Sequence, residues 1–230
     1  MESFQPFLDR FFMMLDGEQQ KKILSARVLL FGVGGVGSAL AEFLVRSGIS
    51  NLTIVDFDDI DVTNINRQLV AFQDNVGRKK VEELSLKLKN INPNLNIKEF
   101  PIRLNQDTIN QFNLKDYDII LDCIDDIPAK KLLIKESNKH KKYLLSAMGA
   151  GNRYAEIPQF EIADIKKTSY DPIAKILRKF CVEERINRLE VCYTKQKASK
   201  SNCKTIASVV YYPVNMATVM CARVMNKILS

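Results

Sequence analysis

The order of apolar and polar residues predicts an α/β protein: a doubly wound, mainly parallel sheet with a smaller α+β appendage at the C-terminal end. Three observations carry that expectation. Up to Gly151, short apolar runs alternate with stretches of helical period, the rhythm of strands joined by crossover helices. The first run is closed by a glycine-rich turn that leads directly into a helix. Beyond Gly151 the rhythm breaks, so residues 152–230 are expected to lie on the sheet rather than to form an independent domain.

Arg27–Phe31 (RVLLF) is apolar and closed by Gly32, as a buried parallel strand would be. Val36–Ser47 has helical spacing with Leu40, Phe43 and Leu44 on one face, and Gly48 ends it. Leu52–Val55 is a second strand that stops at an acidic cluster. Arg78–Asn90 is an amphipathic helix stopped before Pro93. Ile97–Phe100 and Asp118–Asp122 are the third and fourth strands. Pro128–Lys139 is a helix with proline in its first turn, and Tyr143–Met148 is a fifth strand running into Gly149-Ala150-Gly151. Gln159–Ala163 alternates and need not be parallel. Asp171-Pro172 starts a helix to about Glu183, Leu189–Tyr193 is a short strand, and Lys195–Lys204 is a basic loop. Pro213–Leu229 is a closing helix whose methionines suit core packing.

Composition narrows the class. The chain has 230 residues, 46 % hydrophobic and 27 % charged, a globular balance that argues against disorder. No run of about 18 uninterrupted apolar residues is present. The nearest, Ile206–Ala222, is broken by Pro213 and Asn215. The acidic first residues, Met1 to Asp16, do not resemble a secretory signal. Five cysteines, an odd number without C-x-x-C spacing, point to a reducing, cytoplasmic setting and exclude a paired-cysteine zinc site. The net charge of +7 is unevenly placed. Up to Ile127 there are 14 Lys and Arg against 19 Asp and Glu; afterwards there are 20 against 8. That asymmetry fits either a polyanionic partner on the C-terminal part or a solubilising lysine surface.

Gly32-Val33-Gly34-Gly35-Val36-Gly37 is a G-x-G-x-x-G turn between strand and helix. Such glycines let backbone N–H groups approach phosphate oxygens at a helix N-terminus. Asp56 ends the next strand, 19 residues beyond Gly37, where it can accept from ribose hydroxyls. These features specify an adenine nucleotide without separating NAD from ATP. The following segment, DFDDIDVTNINRQ, decides against NAD: Asn64, Arg67 and Gln68 follow the ribose acid closely, and Lys80 comes 13 residues after Arg67. Converging cations are what a triphosphate needs at its β- and γ-phosphates and at an attacked α-phosphorus. Asp125, in Asp122-Cys123-Ile124-Asp125-Asp126 at a strand end, is expected to hold Mg²⁺, and Asp126 to cap the next helix. His140 belongs to a solvated helix end, and no cysteine is singled out as a nucleophile.

GVGGVGS, D-x-D…TNINRQ, VGRKK and DCIDD together resemble the ThiF/MoeB/ubiquitin-activating superfamily. The pieces GAGN, F-E-x-A-D-I and K-T-S-x-D-P over Gly149–Leu177 are similar to its tRNA threonylcarbamoyladenosine dehydratase family. The resemblance runs from about Arg10 to the C-terminus. It implies a Rossmann-like fold of ubiquitin-activating-enzyme type and a single adenylating domain: N-terminal helices in 1–25, a nucleotide-binding core in 26–151 and the basic appendage in 152–230. It implies MgATP-dependent adenylation of the threonyl carboxylate of tRNA threonylcarbamoyladenosine, then cyclisation. Carried over, Gly32, Gly34, Gly35, Gly37, Asp56, Asn64, Arg67, Gln68 and Lys80 would bind ATP, with Arg67, Lys80, Asp125 and Arg10 catalytic. Arg10 would reach the partner subunit's γ-phosphate in a homodimer. Family analogy also implies a sulfur-transfer or cysteine desulfurase system as partner. The tRNA surface is expected at Arg153, Lys167, Lys175, Arg178, Lys195, Lys197 and Lys200. The alternative is a ThiF/MoeB-like adenylyltransferase acting on the C-terminus of a ubiquitin-like sulfur carrier, which the missing C-x-x-C and the GAGN…KTSxDP pieces disfavour.

Overall fold

A computed structural model describes residues 6–199 and 205–230. Seven strands form one sheet: β1 (Arg27–Phe31), β2 (Asn51–Val55), β3 (Asn96–Phe100), β4 (Ile119–Asp122), β5 (Leu144–Ala147), β6 (Glu161–Asp164) and β7 (Glu190–Tyr193). Their spatial order is β3-β2-β1-β4-β5-β7-β6. All neighbours are parallel except β6, which runs antiparallel to β7. The sheet is thus continuous across Gly151: β7 pairs in parallel with β5, and β6 closes that edge.

The central strands are apolar on both faces because helices cover both. Successive residues of β1 point opposite ways, Val28 and Leu30 to one core, Leu29 and Phe31 to the other. The first core packs against α3 (Gly35–Arg46), α4 (Lys80–Ile91) and α7 (Tyr211–Leu229), through Leu40, Leu44, Leu84, Leu88, Met216 and Met220. The second packs against α5 (Ile127–Lys139) and α6 (Pro172–Glu183), through Leu133 and Leu177. The methionines of α7 are therefore core residues packed beside α3, and among the described residues no helix is long and apolar enough to cross a membrane.

Helix starts follow local chemistry. α2 (Gly17–Ser25) opens with a capping box between Asp16 and Gln19. α5 and α6 each pair an aspartate cap, Asp126 or Asp171, with proline in the first turn. Several boundaries shift by one or two residues from expectation, and one has a clear local cause. α4 starts at Lys80 rather than Arg78, because Arg78 and Lys79 extend to bond the Asp59–Ile60 segment. A short helix, α1 (Asp9–Phe12), precedes α2.

Candidate nucleotide-binding site

A cleft of about 370 Å³ opens at the carboxyl ends of β1, β2, β4 and β5, where the strand order reverses between β1 and β4. Its floor is the glycine turn. Gly32 sits at φ +83°, and a Cβ there would lie 2.6 Å from the Cys123 carbonyl oxygen. A Cβ on Gly37 would come within 1.8 Å of the Gly32 carbonyl oxygen. Both positions therefore require glycine for the turn linking β1 to α3 to pack against the end of β4. Gly34 and Gly35 line the cleft, and no side chain caps α3, which leaves its first N–H groups for an anion.

Asp56, just beyond β2, accepts from the backbone N–H of Val33 at 2.7 Å and of Asp58 at 2.9 Å. Burial pushes its carboxyl above the usual range, against the downward pull of those N–H groups and of Lys80. Each oxygen keeps lone-pair capacity for a hydroxyl donor. Asn64 is buried, and its Oδ1 accepts from the Asp61 N–H at 3.2 Å, closing the turn that carries Arg67. The Arg67 guanidinium donates to the Thr63 carbonyl at 2.5 Å and to Asn66 Oδ1 at 3.0 Å, and lines the cleft. Gln68 is buried beside it, and its Oε1 has no hydrogen-bond partner among the described residues. Lys80, at the start of α4, is only 4 % exposed, with Nζ 2.7 Å from an Asp58 carboxylate oxygen. The structure thus gathers Asp56, Asn64, Arg67, Gln68 and Lys80 around one volume.

On the opposite wall, Asp126 is spent as a cap, accepting from the Ala129 N–H at 3.0 Å. Asp125 lines the cleft and makes no side-chain hydrogen bond or ion pair among the described residues. No group of three metal-ligating side chains occurs among the described residues. A single free carboxylate suits Mg²⁺ shared with phosphate oxygens rather than an all-protein cage. Beneath this wall is a buried network: Lys130 Nζ lies 2.9 Å from Asp122 Oδ2, 3.2 Å from Ser146 Oγ and 2.7 Å from the Ala147 carbonyl oxygen.

Some placements differ from the sequence reading. Cys123, which the sequence does not single out, is half-buried, packs against the first core and also lines the cleft, while burial and Asp122 push its thiol well up, away from the nucleophilic thiolate. Phe57 and Arg103 carry no sequence signal for this site. The guanidinium lies 4.0 Å from the ring centroid, and both line the cleft. They are distant in sequence, and only the pairing of β2 with β3 joins them. Arg10 is exposed on α1 and does not line its own chain's cleft.

Two expected surface cations are spent fastening loops, and Lys195 is paired with Glu161 at 2.9 Å. Arg153 is 5 % exposed and donates to the carbonyls of Gly149, Gly151 and Gln196 beside Asp171. Arg178 donates to the Ile165 and Thr168 carbonyls and to the Thr168 hydroxyl, bracing the turn before α6. A guanidinium's several donors make it a loop fastener, and its charge alone does not reveal that use. Lys167, Lys175, Lys195 and Lys197 are exposed, and Lys200 lies outside the described residues.

A profile of the ThiF family matches residues 8–228. The chain belongs to the ThiF family. Within it, this ThiF protein is 39 % identical over 171 residues to a tRNA threonylcarbamoyladenosine dehydratase of Bacillus subtilis, covering 74 % of the chain and 67 % of that relative. It is 36 % identical over 165 residues to the Escherichia coli enzyme of the same name, covering 71 % and 61 %. The aligned segments thus span about two thirds or less of these relatives' length. The crystal structure of E. coli tRNA N6-threonylcarbamoyladenosine dehydratase, TcdA, in complex with AMP superposes with a TM-score of 0.92 at 25 % identity, over 100 % of this chain and 96 % of that one. The resemblance to the dehydratase branch of the ThiF family therefore holds across the fold.

Proposed function

We propose that this ThiF protein is an ATP-dependent tRNA threonylcarbamoyladenosine dehydratase, working as one adenylating domain. The observation that carries the reading is its likeness, over the whole chain, to a dehydratase that binds AMP. The cleft supports it with the donors and acceptors that an adenylated intermediate requires.

In this reading the Gly32–Gly37 turn and the α3 N-terminus cradle phosphate, and Asp56 accepts from the ribose hydroxyls. Gln68 lines the same volume, with its amide nitrogen on the side of Gly34, and would donate to the nucleotide. The Phe57–Arg103 pair offers a flat face to adenine. Asn64 and Arg67 hold the β- and γ-phosphates. Asp125 would hold Mg²⁺ against them, where the ion neutralises phosphate charge. An oxygen of the threonyl carboxylate attacks the α-phosphorus; the bond from that phosphorus to its bridging oxygen breaks, and pyrophosphate leaves. Lys80 stabilises the charge that builds on the α-phosphate oxygens. A carbamoyl oxygen or nitrogen then attacks the activated acyl carbon, AMP departs, and the ring closes with net loss of water. The chain contributes positioning and charge, without a covalent nucleophile. Arg10 acts in the partner's cleft of a homodimer, and exposed lysines of the C-terminal part meet tRNA phosphates.

The test is incubation of the purified protein with MgATP and tRNA bearing threonylcarbamoyladenosine. AMP and pyrophosphate should form only with that tRNA, and the nucleoside should lose the mass of one water. AMP formation driven instead by a ubiquitin-like carrier would move the assignment to the adenylyltransferase alternative.

A further inference from the structure

We infer that Tyr170, supported by Lys197, is a stacking platform for an unpaired RNA base at the mouth of the cleft. The inference rests on the tRNA reading above and names the residue that would engage the substrate's loop.

Tyr170 is unusual in its backbone. Its φ is +56°, in the left-handed region that a bulky L-residue adopts only against a steric cost. The sequence offers the position no glycine or asparagine, which would occupy that region cheaply. The strained conformation separates two neighbours. Asp171 turns inward, where it caps α6 and accepts from the Gly149 N–H at 3.0 Å on the cleft wall. Tyr170 turns outward and is 62 % exposed. An exposed aromatic ring held at a strained backbone position, one residue from the wall of a nucleotide cleft, contributes little to the core. Its exposed face is open to a contact from outside the chain.

The surroundings indicate what that contact is. Lys197 Nζ lies 5.1 Å from the Tyr170 ring centroid, so a cation already uses the ring as a π-face. Lys166, Lys167 and Lys175 are exposed on the adjoining turn and on α6. The loop carrying Lys197 is fixed to the cleft wall, since the Gln196 carbonyl accepts from Arg153 and the Ser199 N–H donates to the Asn152 carbonyl. An aromatic face next to cations, on a held loop, is how proteins take single-stranded nucleic acid: the ring stacks on a base while the ammonium groups meet phosphates. A protein partner would not need a basic rim, and a duplex would not present a free base face.

The experiment measures fluorescence anisotropy of an unmodified tRNA with the full chain across a salt series, comparing wild type with Tyr170→Phe, Tyr170→Asn and Lys197→Gln. Tyr170→Asn should weaken binding on the order of 10- to 100-fold without changing the log–log salt slope, because a stacked ring and no charge is lost. Asparagine suits the left-handed backbone, so the same variant should keep or raise the Tm, which separates lost contact from lost fold. Tyr170→Phe should bind as wild type does. Lys197→Gln should lower the salt slope by about one. Wild-type binding that Tyr170→Asn leaves unaltered overturns the stacking role alone. No RNA binding by wild type overturns the tRNA reading and the platform with it.

Discussion

Arg67 and Lys80 bring positive charge to the cleft by different routes. The arginine is steadied by the Thr63 carbonyl and by Asn66, the lysine by an aspartate carboxylate inside a nearly closed wall. In the proposed reaction both act on charge that develops during adenylyl transfer. Arg67→Ala and Lys80→Ala should each cost about 2.7–4 kcal/mol of transition-state stabilisation, read as a hundred- to thousandfold loss in the rate of tRNA-dependent AMP formation. Asp125→Asn should shift the Mg²⁺ dependence of that rate to higher concentration and leave urea unfolding unchanged, since the carboxylate supports no neighbour among the described residues. Arg153→Ala should behave in the opposite way. Its guanidinium and Asp171 are both buried, so removal leaves an uncompensated charge, and urea denaturation should show about 3–5 kcal/mol of lost stability. These contrasts mark what residue types disclose. A glycine turn, an acid at a strand end and two nearby cations announce a phosphate site because their spacing is local. Arg153 and Phe57–Arg103 depend on which distant loops meet, and nothing in a linear pattern encodes that.

Between elements, the clamp around Glu190 joins three segments. Its carboxylate, at the start of β7, takes a bidentate contact from Arg223 of α7 at 2.8 and 2.9 Å and a hydrogen bond from the Tyr143 hydroxyl before β5. Burial pushes Glu190 up, but Arg223 and Tyr143 outweigh it and hold the carboxyl below its ordinary value. A depressed folded value means the clamp stabilises fully above the ordinary carboxylate range and is lost as pH falls through the lower folded value. Arg223→Met should therefore flatten that acid limb in a series of urea unfolding curves recorded between neutral and acid pH. The central elements are legible, since β1 and β2 are short apolar runs closed by Gly32 and Asp56 and the aspartate–proline starts of α5 and α6 are local patterns. The place of β6 was not. Its antiparallel pairing with β7 depends on how the 152–189 segment folds back, and alternation alone leaves direction open.

At the scale of the whole molecule, charge and assembly can be read together. If exposed lysines of the C-terminal part meet tRNA, affinity should fall linearly with salt in log–log form, and Lys195→Glu with Lys197→Glu should reduce that slope while nucleotide affinity stays constant. If Arg10 completes a partner's cleft, mixing inactive Arg10→Ala and Lys80→Ala chains should restore part of the AMP-forming rate, because one of the two clefts in a mixed dimer is intact. Sedimentation should find the dimer at the same concentrations. The buried Lys130 network has a different bearing on the whole reaction. An acyl adenylate is a mixed anhydride, and any amine with a free lone pair beside it is a target. The Lys130 ammonium lies behind the cleft wall with its three N–H bonds spent on Asp122, Ser146 and the Ala147 carbonyl, and the nearby Cys123 is held as a thiol. If the cleft forms such an anhydride, these two groups on and behind its wall are held in forms that do not attack it.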